Sequence, residues 1–337
     1  MKKKILMIYT GGTIGMKPAE NGYLPSNTDF KDTVASIRDL FHEGMPQLEV
    51  IQFDPLLDSS NIGIAEWNRI GQCIADHYDN FDGFVILHGT DTMSYSASAL
   101  AFMLENLDKP VVFTGSQIPL CEIRSDGYNN MTTSVLIASG DQIREVCIYF
   151  DGKLLRGCRS TKTSSSQFAA FGSPNCDILA DVGVSIKYHS VNGYPKRKGP
   201  FSFHPFAQIP AGIIKMYPGI QIGWYDDLIS QKMKGTVLET FGAGNVPDQQ
   251  GDALNSIISN ARKKGSYVVV CSQCIQGTVS FGAYQTSRSL ITSGALSGQD
   301  MTSEAALTKL IYILSYYQDE DEIVTLMSSN LRGELSE

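Results

Sequence analysis

The chain has 337 residues, is 42% hydrophobic and 18% charged, and sets Lys+Arg 27 against Asp+Glu 35 for a net charge of −8. That length exceeds one ordinary core and points to two domains, and the composition excludes a disordered chain. The acidic balance argues against a nucleic-acid or anionic-membrane partner, and no stretch reaches the roughly 18–20 apolar residues of a spanning helix.

Met1-Lys2-Lys3-Lys4 precedes an apolar run at 5–9 that is too short for the core of a secretory signal. A cytoplasmic protein is therefore expected, without membrane or nucleic-acid partners. Seven cysteines, an odd number scattered along the chain, suit reduced thiols. Cys271-Ser272-Gln273-Cys274 has no second pair with which to bind zinc. The run at 5–9 reads as a buried strand that breaks into Thr10-Gly11-Gly12-Thr13-Ile14-Gly15. A polar loop follows through Asn21-Gly22-Tyr23, then a strand at 48–53. A helix over 63–78 places Ile64, Trp67, Ile70 and Ile74 on one face, with Ser60 or Asn61 as its cap. A second buried strand at 83–87 breaks into His88-Gly89-Thr90-Asp91-Thr92. Helix 92–106, strand 111–114, helix 126–139 and a hairpin of strands 146–150 and 153–156 complete a doubly wound pattern.

Glycine, proline and Lys196-Arg197-Lys198 crowd the segment after residue 190. It reads as a linker over 191–210 between a larger α/β domain at 1–190 and a smaller one at 211–337. In the second domain strands at 212–217, 235–240 and 267–271 alternate with helices at 224–231 and 254–264, and helices run to the end. The fold class is α/β, with a mainly parallel sheet in the larger domain.

Ligands of open α/β sheets bind outside the carboxyl ends of the strands. Two such ends here carry Thr13 and Thr90-Asp91, the raw material of a threonine-nucleophile amidohydrolase. Glycines beside Thr13 let backbone N–H groups approach an oxyanion. The loop lacks the Gly-Lys-Ser/Thr ending of a phosphate-binding loop and the spacing of a dinucleotide fingerprint, although a plain tight turn would also explain it. Asp91 suits a cationic substrate group such as an α-ammonium, and could equally cap the helix that follows. Lys162, in Ser160-Thr161-Lys162-Thr163, could polarise a threonine hydroxyl and pair with Asp91; alone it would read as a surface lysine. His88 reads as a brace of the backbone rather than a base. Hydroxyls, a carboxylate and an ammonium suffice for amide hydrolysis, so no metal or organic cofactor is called for.

Tyr9-Thr10-Gly11-Gly12-Thr13-Ile14-Gly15, Asp58-Ser59-Ser60, His88-Gly89-Thr90-Asp91-Thr92, Thr114-Gly115-Ser116-Gln117 and Thr161-Lys162-Thr163 occur in an order that resembles the bacterial-type L-asparaginases, in their cytosolic type I branch. Asn106-Leu107-Asp108-Lys109-Pro110, Gly242-Ala243-Gly244-Asn245, Asp300-Met301-Thr302 and Asn330-Leu331-Arg332-Gly333-Glu334-Leu335 extend the resemblance over essentially the whole chain. It implies that Thr13 attacks the side-chain amide, giving an aspartyl ester and ammonia. Tyr23, on a mobile loop, would assist Thr13, and Thr90, Lys162 and Asp91 would form a second relay. Either could take the first proton. Asp58, Ser59 and Ser60 would form the substrate-binding loop, with the two serines on the α-carboxylate; Asp91 would hold the α-ammonium, and Ser116 would lie near the amide oxygen. The family's homotetramers are dimers of tight dimers, in which the C-terminal domain of one subunit completes its neighbour's site.

The type I branch also resembles a regulated enzyme with a second asparagine site. Thr161, Asn245 and Cys274 match positions associated with it, and Ser272 and Gln273 adjoin them. Glu239 stands where an effector-binding relative carries an arginine. An arginine clamps a carboxylate and a glutamate repels it, so the allosteric response is expected to be weak or absent, unless another residue supplies the clamp. Readings that remain open are a dual asparaginase–glutaminase, a non-catalytic amino-acid sensor, and an amidotransferase subunit acting with tRNA. That subunit would want an extra N-terminal domain and a basic surface.

Overall fold

The computed structural model describes residues 2–20, 22–25, 29–190, 193–280 and 285–336. Asn21 of the expected loop and residues 191–192 of the expected linker lie outside them. The chain forms two compact units: Met1–Ser173 with Asp177–Val191 and Lys196–Pro205, and Pro174–Cys176 with Asn192–Pro195 and Phe206–Glu337.

In the first unit the strands are β1 (Lys4–Gly11), β2 (Gln47–Leu57), β3 (Gly83–Leu87), β4 (Val111–Thr114), β5 (Val146–Phe150), β6 (Lys153–Arg156), β7 (Ala180–Val182) and β8 (Ile186–Tyr188). They form one eight-stranded sheet in the order β8-β7-β6-β5-β4-β3-β1-β2. The strands from β2 across to β5 are mutually parallel, while β6, β7 and β8 join as an antiparallel meander. Order 2-1-3-4-5 is a doubly wound order with its switch point between β1 and β3. The strand order reverses there, so the connections leave the two carboxyl ends in opposite directions and open a crevice.

Continuous apolar runs are what a parallel strand covered on both faces requires. Every residue of β1 after Lys4 is buried, as is all of β3. Ile5, Met7 and Tyr9 share a core with Val85, Leu87, Val112 and with Met131, Val135 and Ile137 of the helix Gly127–Ala138. The alternate residues Leu6, Ile8, Phe84 and Ile86 are buried as well, so both faces are closed. Each such side chain contributes about 1.5–3 kcal/mol relative to exposure.

In the second unit β9 (Ala211–Lys215), β10 (Gly235–Thr240), β11 (Tyr267–Ser272) and β12 (Leu296–Ser297) form a parallel sheet in that order. Ile214, Leu238, Val268 and Val270 pack with Leu254, Ile257, Ile258 and Ala261. An ion pair lies deep in this unit: Lys309 Nζ is 2.6 Å from Glu334 Oε1, with both side chains at 0% exposure. Lys309 also donates to the carbonyls of Met327 (3.0 Å) and Ser329 (2.6 Å), while Glu334 accepts from the main-chain N–H of Leu331 at 3.0 Å. A pair so enclosed is stable because each ion's remaining polar capacity is met. No disulfide joins the seven cysteines: Cys147, Cys158 and Cys271 are buried, and Cys121 and Cys274 are exposed. Burial pushes the thiols of Cys147 and Cys271 well above their ordinary range.

Several expectations need correction. The loop around Tyr23 is an antiparallel hairpin of Met16–Ala19 and Gly22–Pro25. Helix 92–106 ends at Met103, where Leu104–Glu105 turns to pair with Ser202–Phe203. The stretch at 224–231 is a 3-10 turn, Ile222–Tyr225, followed by a π-helical turn, Leu228–Lys232. Helix 254–264 starts earlier, at Asp248; its first turns are polar, so no apolar period marks them. The helix Ile64–His77 is capped at Gly63, whose N–H donates to Glu66 at 2.8 Å, and not by Ser60 or Asn61.

The crevice depends on two glycines. Gly12 has φ +92°, and a Cβ there would sit 2.5 Å from the main-chain nitrogen of Gly89. A Cβ on Gly89 would in turn sit 2.4 Å from Ser59 Oγ. The loops after β1 and β3 therefore meet backbone to backbone, and the Ser59 side chain of the loop after β2 packs against Gly89. Gly12→Ala should cost about 1–3 kcal/mol, from the left-handed φ and the forced shift. Urea denaturation of the variant against the wild type reads this directly; an unchanged midpoint would show that the loops can part freely.

Candidate active site

The end of β1 is tied to the end of β3 by Thr10 Oγ1, which donates to the Leu87 carbonyl at 2.8 Å. Beyond it Gly12 turns the chain and Thr13 opens a single 3-10 turn, Thr13–Gly15. Across the crevice Thr90 is 7% exposed. Lys162 arrives on a short strand, Thr161–Lys162, paired antiparallel with Phe171–Gly172. Its Nζ donates to Thr90 Oγ1 at 2.9 Å and to Asp91 Oδ1 at 2.7 Å. The structure thus joins Thr90, Asp91 and Lys162 directly. Lys162 is 19% exposed and Asp91 64%, so the ammonium is sheltered while the carboxylate keeps a solvent face. The following helix is capped at Thr92, and the carboxylate of Asp91 goes to Lys162.

The loop after β2 starts with Asp58, whose carboxylate accepts from the N–H of Ser60 at 3.0 Å. Ser59 is buried, and its carbonyl accepts from Thr92 Oγ1 at 2.7 Å. After β4, Ser116 is 1% exposed, and its hydroxyl has no hydrogen-bond partner among the described residues. Tyr23 is 47% exposed. Its hydroxyl is hydrogen-bonded to the carboxylate of Glu122, which raises the phenol above its ordinary range.

His88 supports the crevice from behind. Its Nδ1 lies 2.6 Å from the Gly89 carbonyl, so that nitrogen carries the proton. Its Nε2, 2.9 Å from Ser96 Oγ, accepts, and Ser96 accepts from Trp67 Nε1 at 3.0 Å. Each role in this chain follows from the one before. Burial pulls the His88 imidazole down to about 4, and the bond to Gly89 opposes this.

Sequence reasoning missed two features. Asp126 reads as a helix start, yet its carboxylate accepts from the N–H of Gln117 (3.0 Å) and of Ile118 (3.0 Å) and fixes the loop that carries Ser116. Asn130 Nδ2 holds the same loop through the Gly115 carbonyl at 3.0 Å. The available signal was an acidic residue just after a strand-end loop. Gln117 was seen only as part of a motif; it contacts Thr90 at 3.3 Å.

The residues singled out for a second site divide. In the second unit Glu239 Oε1 accepts from Ser303 Oγ at 2.6 Å, and Gln273 Nε2 donates to the Glu239 carbonyl at 2.9 Å. Ser272 Oγ donates to the Gly242 carbonyl at 2.7 Å and accepts from the N–H of Cys274 at 3.0 Å. Asn245 bridges back to Phe241 through the main chain. Thr161 belongs to the first unit, opposite Gly172.

Residues 4–192 match the family described as Asparaginase, N-terminal, and residues 212–327 match Glutaminase/Asparaginase C-terminal domain. The chain belongs to the asparaginase family. It is 43% identical to L-asparaginase 1 of Escherichia coli (strain K12) over 335 residues, 99% of this chain and 98% of that one. The crystal structure of L-asparaginase I from Vibrio cholerae superposes with a TM-score of 0.91 at 41% identity, covering 100% of both chains. The thermostable L-asparaginase from Thermococcus kodakarensis gives a TM-score of 0.89 at 31% identity over 99% of each. The family's two-domain α/β architecture is therefore that of this chain, with its large mainly parallel sheet in the N-terminal part.

Between pH 6.5 and about 4 the unfolded chain takes up a proton at His88 that the folded chain refuses. Stability from this group is complete above pH 6.5 and falls as the pH drops toward 4, by a total of about 3 kcal/mol. Urea denaturation at pH 7 and pH 4 should show a smaller loss for His88→Gln than for the wild type. Equal losses would show that His88 takes its proton inside the fold.

Proposed function

We propose that the protein is an L-asparagine amidohydrolase, converting L-asparagine to L-aspartate and ammonia. The observation that carries this is the Lys162–Thr90–Asp91 cluster facing the Thr13 turn across the Gly12–Gly89 contact, in a chain 43% identical to an L-asparaginase. Thr13 Oγ attacks the side-chain carbonyl carbon. The C–N bond breaks, the threonine proton leaves with the nitrogen as ammonia, and an aspartyl ester remains. Water then cleaves the ester, releases aspartate and restores the hydroxyl. Lys162 polarises Thr90 and neutralises one oxygen of Asp91, leaving the other for the substrate α-ammonium. Asp58 shapes the loop whose Ser59 and Ser60 take the α-carboxylate. Ser116 offers its unmatched hydroxyl to the amide oxygen. Tyr23 assists Thr13, for which its hydroxyl must exchange Glu122 for the nucleophile.

The same reading makes the protein a cytoplasmic homotetramer, a dimer of dimers. Residues 1–190 carry catalysis, and the domain from 211 onward completes a neighbouring subunit's site. Among the described residues no helix is long and apolar enough to cross a membrane. At the second site Glu239 presents a carboxylate, held by Ser303, where an effector carboxylate would need a cation. The response to asparagine is accordingly hyperbolic. Glutamine is one methylene longer, a difference worth about 1–3 kcal/mol in a pocket, and its turnover measured beside that of asparagine separates this reading from a dual asparaginase–glutaminase.

Ammonia release from L-asparagine and L-glutamine tests this. Thr13→Ala should lower kcat by more than about 10³-fold and Lys162→Met by about 10²–10⁴-fold. An inactive wild type would instead favour a sensor, and full activity in Thr13→Ala would remove the nucleophile from that residue. A sigmoidal curve in asparagine would refute the role given to Glu239.

A further inference from the structure

Thr90 Oγ1 has one proton and two lone pairs. Lys162 Nζ, at 2.9 Å, is a donor only and occupies one lone pair. Gln117 lies on the other side, and its amide orientation is forced. Its Nε2 donates to the Gln167 carbonyl at 3.0 Å, a group with no proton to give, so Oε1 faces Thr90 at 3.3 Å. Oε1 has no proton either, so Thr90 must donate its own. The one remaining lone pair is all that Thr90 can offer a molecule in the crevice, and it can only accept. Gln117 is itself fixed, because its N–H lies 3.0 Å from both oxygens of Asp126.

We propose that Gln117 is a positioning residue for the hydrolytic half of the reaction: by taking the Thr90 proton it makes Thr90 an acceptor for the O–H of the water that cleaves the acyl ester. The inference rests on the amidohydrolase reading. Gln117 gains no proton and touches no substrate. Without it the Thr90 hydroxyl turns freely, and whenever its proton points into the crevice it opposes the water's own O–H. Acylation releases ammonia before that water acts, so the defect falls on ester cleavage.

Two variants test this. Gln117→Met keeps the length and removes the acceptor. We expect kcat for asparagine to fall about 10–100-fold and KM to fall with it, leaving kcat/KM within about threefold of wild type and the thermal midpoint unchanged. Rapid mixing should show a burst of one ammonia per site before the slow steady rate. In Gln117→Glu, the protonated acid reproduces both contacts of the amide, while the ionised form loses the bond to the Gln167 carbonyl that holds its oxygen against Thr90. Its kcat relative to wild type should rise toward one as the pH falls, whereas the Gln117→Met ratio stays flat. The charged groups nearest the introduced carboxyl, Asp126 and, through Thr90, Lys162 and Asp91, are common to both proteins, so the ratio isolates position 117. Gln117→Met with kcat unchanged or raised, a slowed variant without a burst, or a pH-independent Gln117→Glu ratio would each overturn the proposal. If wild type releases no ammonia, the proposal falls together with the amidohydrolase reading; an active wild type matched by Gln117→Met sinks the proposal alone.

Discussion

The crevice is organised by a contact between two backbones that leaves no room for a side chain. Gly12 and Gly89 meet where neighbouring parallel strands send their connections in opposite directions. Everything polar in the site is positioned from that meeting. Thr13 follows one glycine, Thr90 follows the other, and Ser59 packs against the second. The strands behind them are buried on both faces, so the loops spring from ends that cannot drift. A fold of this kind places hydroxyls by the rigidity of main chain, and the side chains themselves are short.

Electrostatics complete what the backbone begins. One ammonium, on Lys162, serves a hydroxyl and a carboxylate at once. Its shelter matters, because a charge screened by water would act weakly on either partner. The same economy appears in the second unit, where Lys309 is matched by one carboxylate and two carbonyls. The first arrangement is partly open and leaves capacity for a ligand; the second is sealed and leaves none. The two lysines thus differ in exposure, 19% against 0%, and in how completely protein groups enclose them.

The sequence alone revealed those elements whose physics is local. β1 and β3 are apolar along their length, so their ends could be placed to within a few residues. The Thr13 loop and the Thr90-Asp91 pair follow at those ends. What escaped depends on distant partners. The short strands Ala180–Val182 and Ile186–Tyr188 alternate too little to show, and they exist because β6 offers an edge. The hairpin bearing Tyr23 is largely exposed on its first strand and gives no periodic signal. Asp126 does start the helix Gly127–Ala138 as its cap residue, but its side chain does not cap that helix. Its carboxylate instead accepts from the N–H groups of 117 and 118, behind a turn. The orientation of the Gln117 amide is set fifty positions downstream by the Gln167 carbonyl, and no local pattern encodes it.

The distribution of sulfur bears on how the protein would age. Its proposed chemistry runs on hydroxyls, and Cys147 and Cys271 are both enclosed and far from ionising at neutral pH. Oxidants and electrophiles attack thiolates that solvent can reach. Damage would therefore begin at Cys121 and Cys274, which are exposed. Cys121 directly precedes Glu122, the residue that holds the Tyr23 hydroxyl. Peroxide would thus reach the rim of the crevice, on the side of the tyrosine hairpin, while the threonines on its floor have nothing to lose to it.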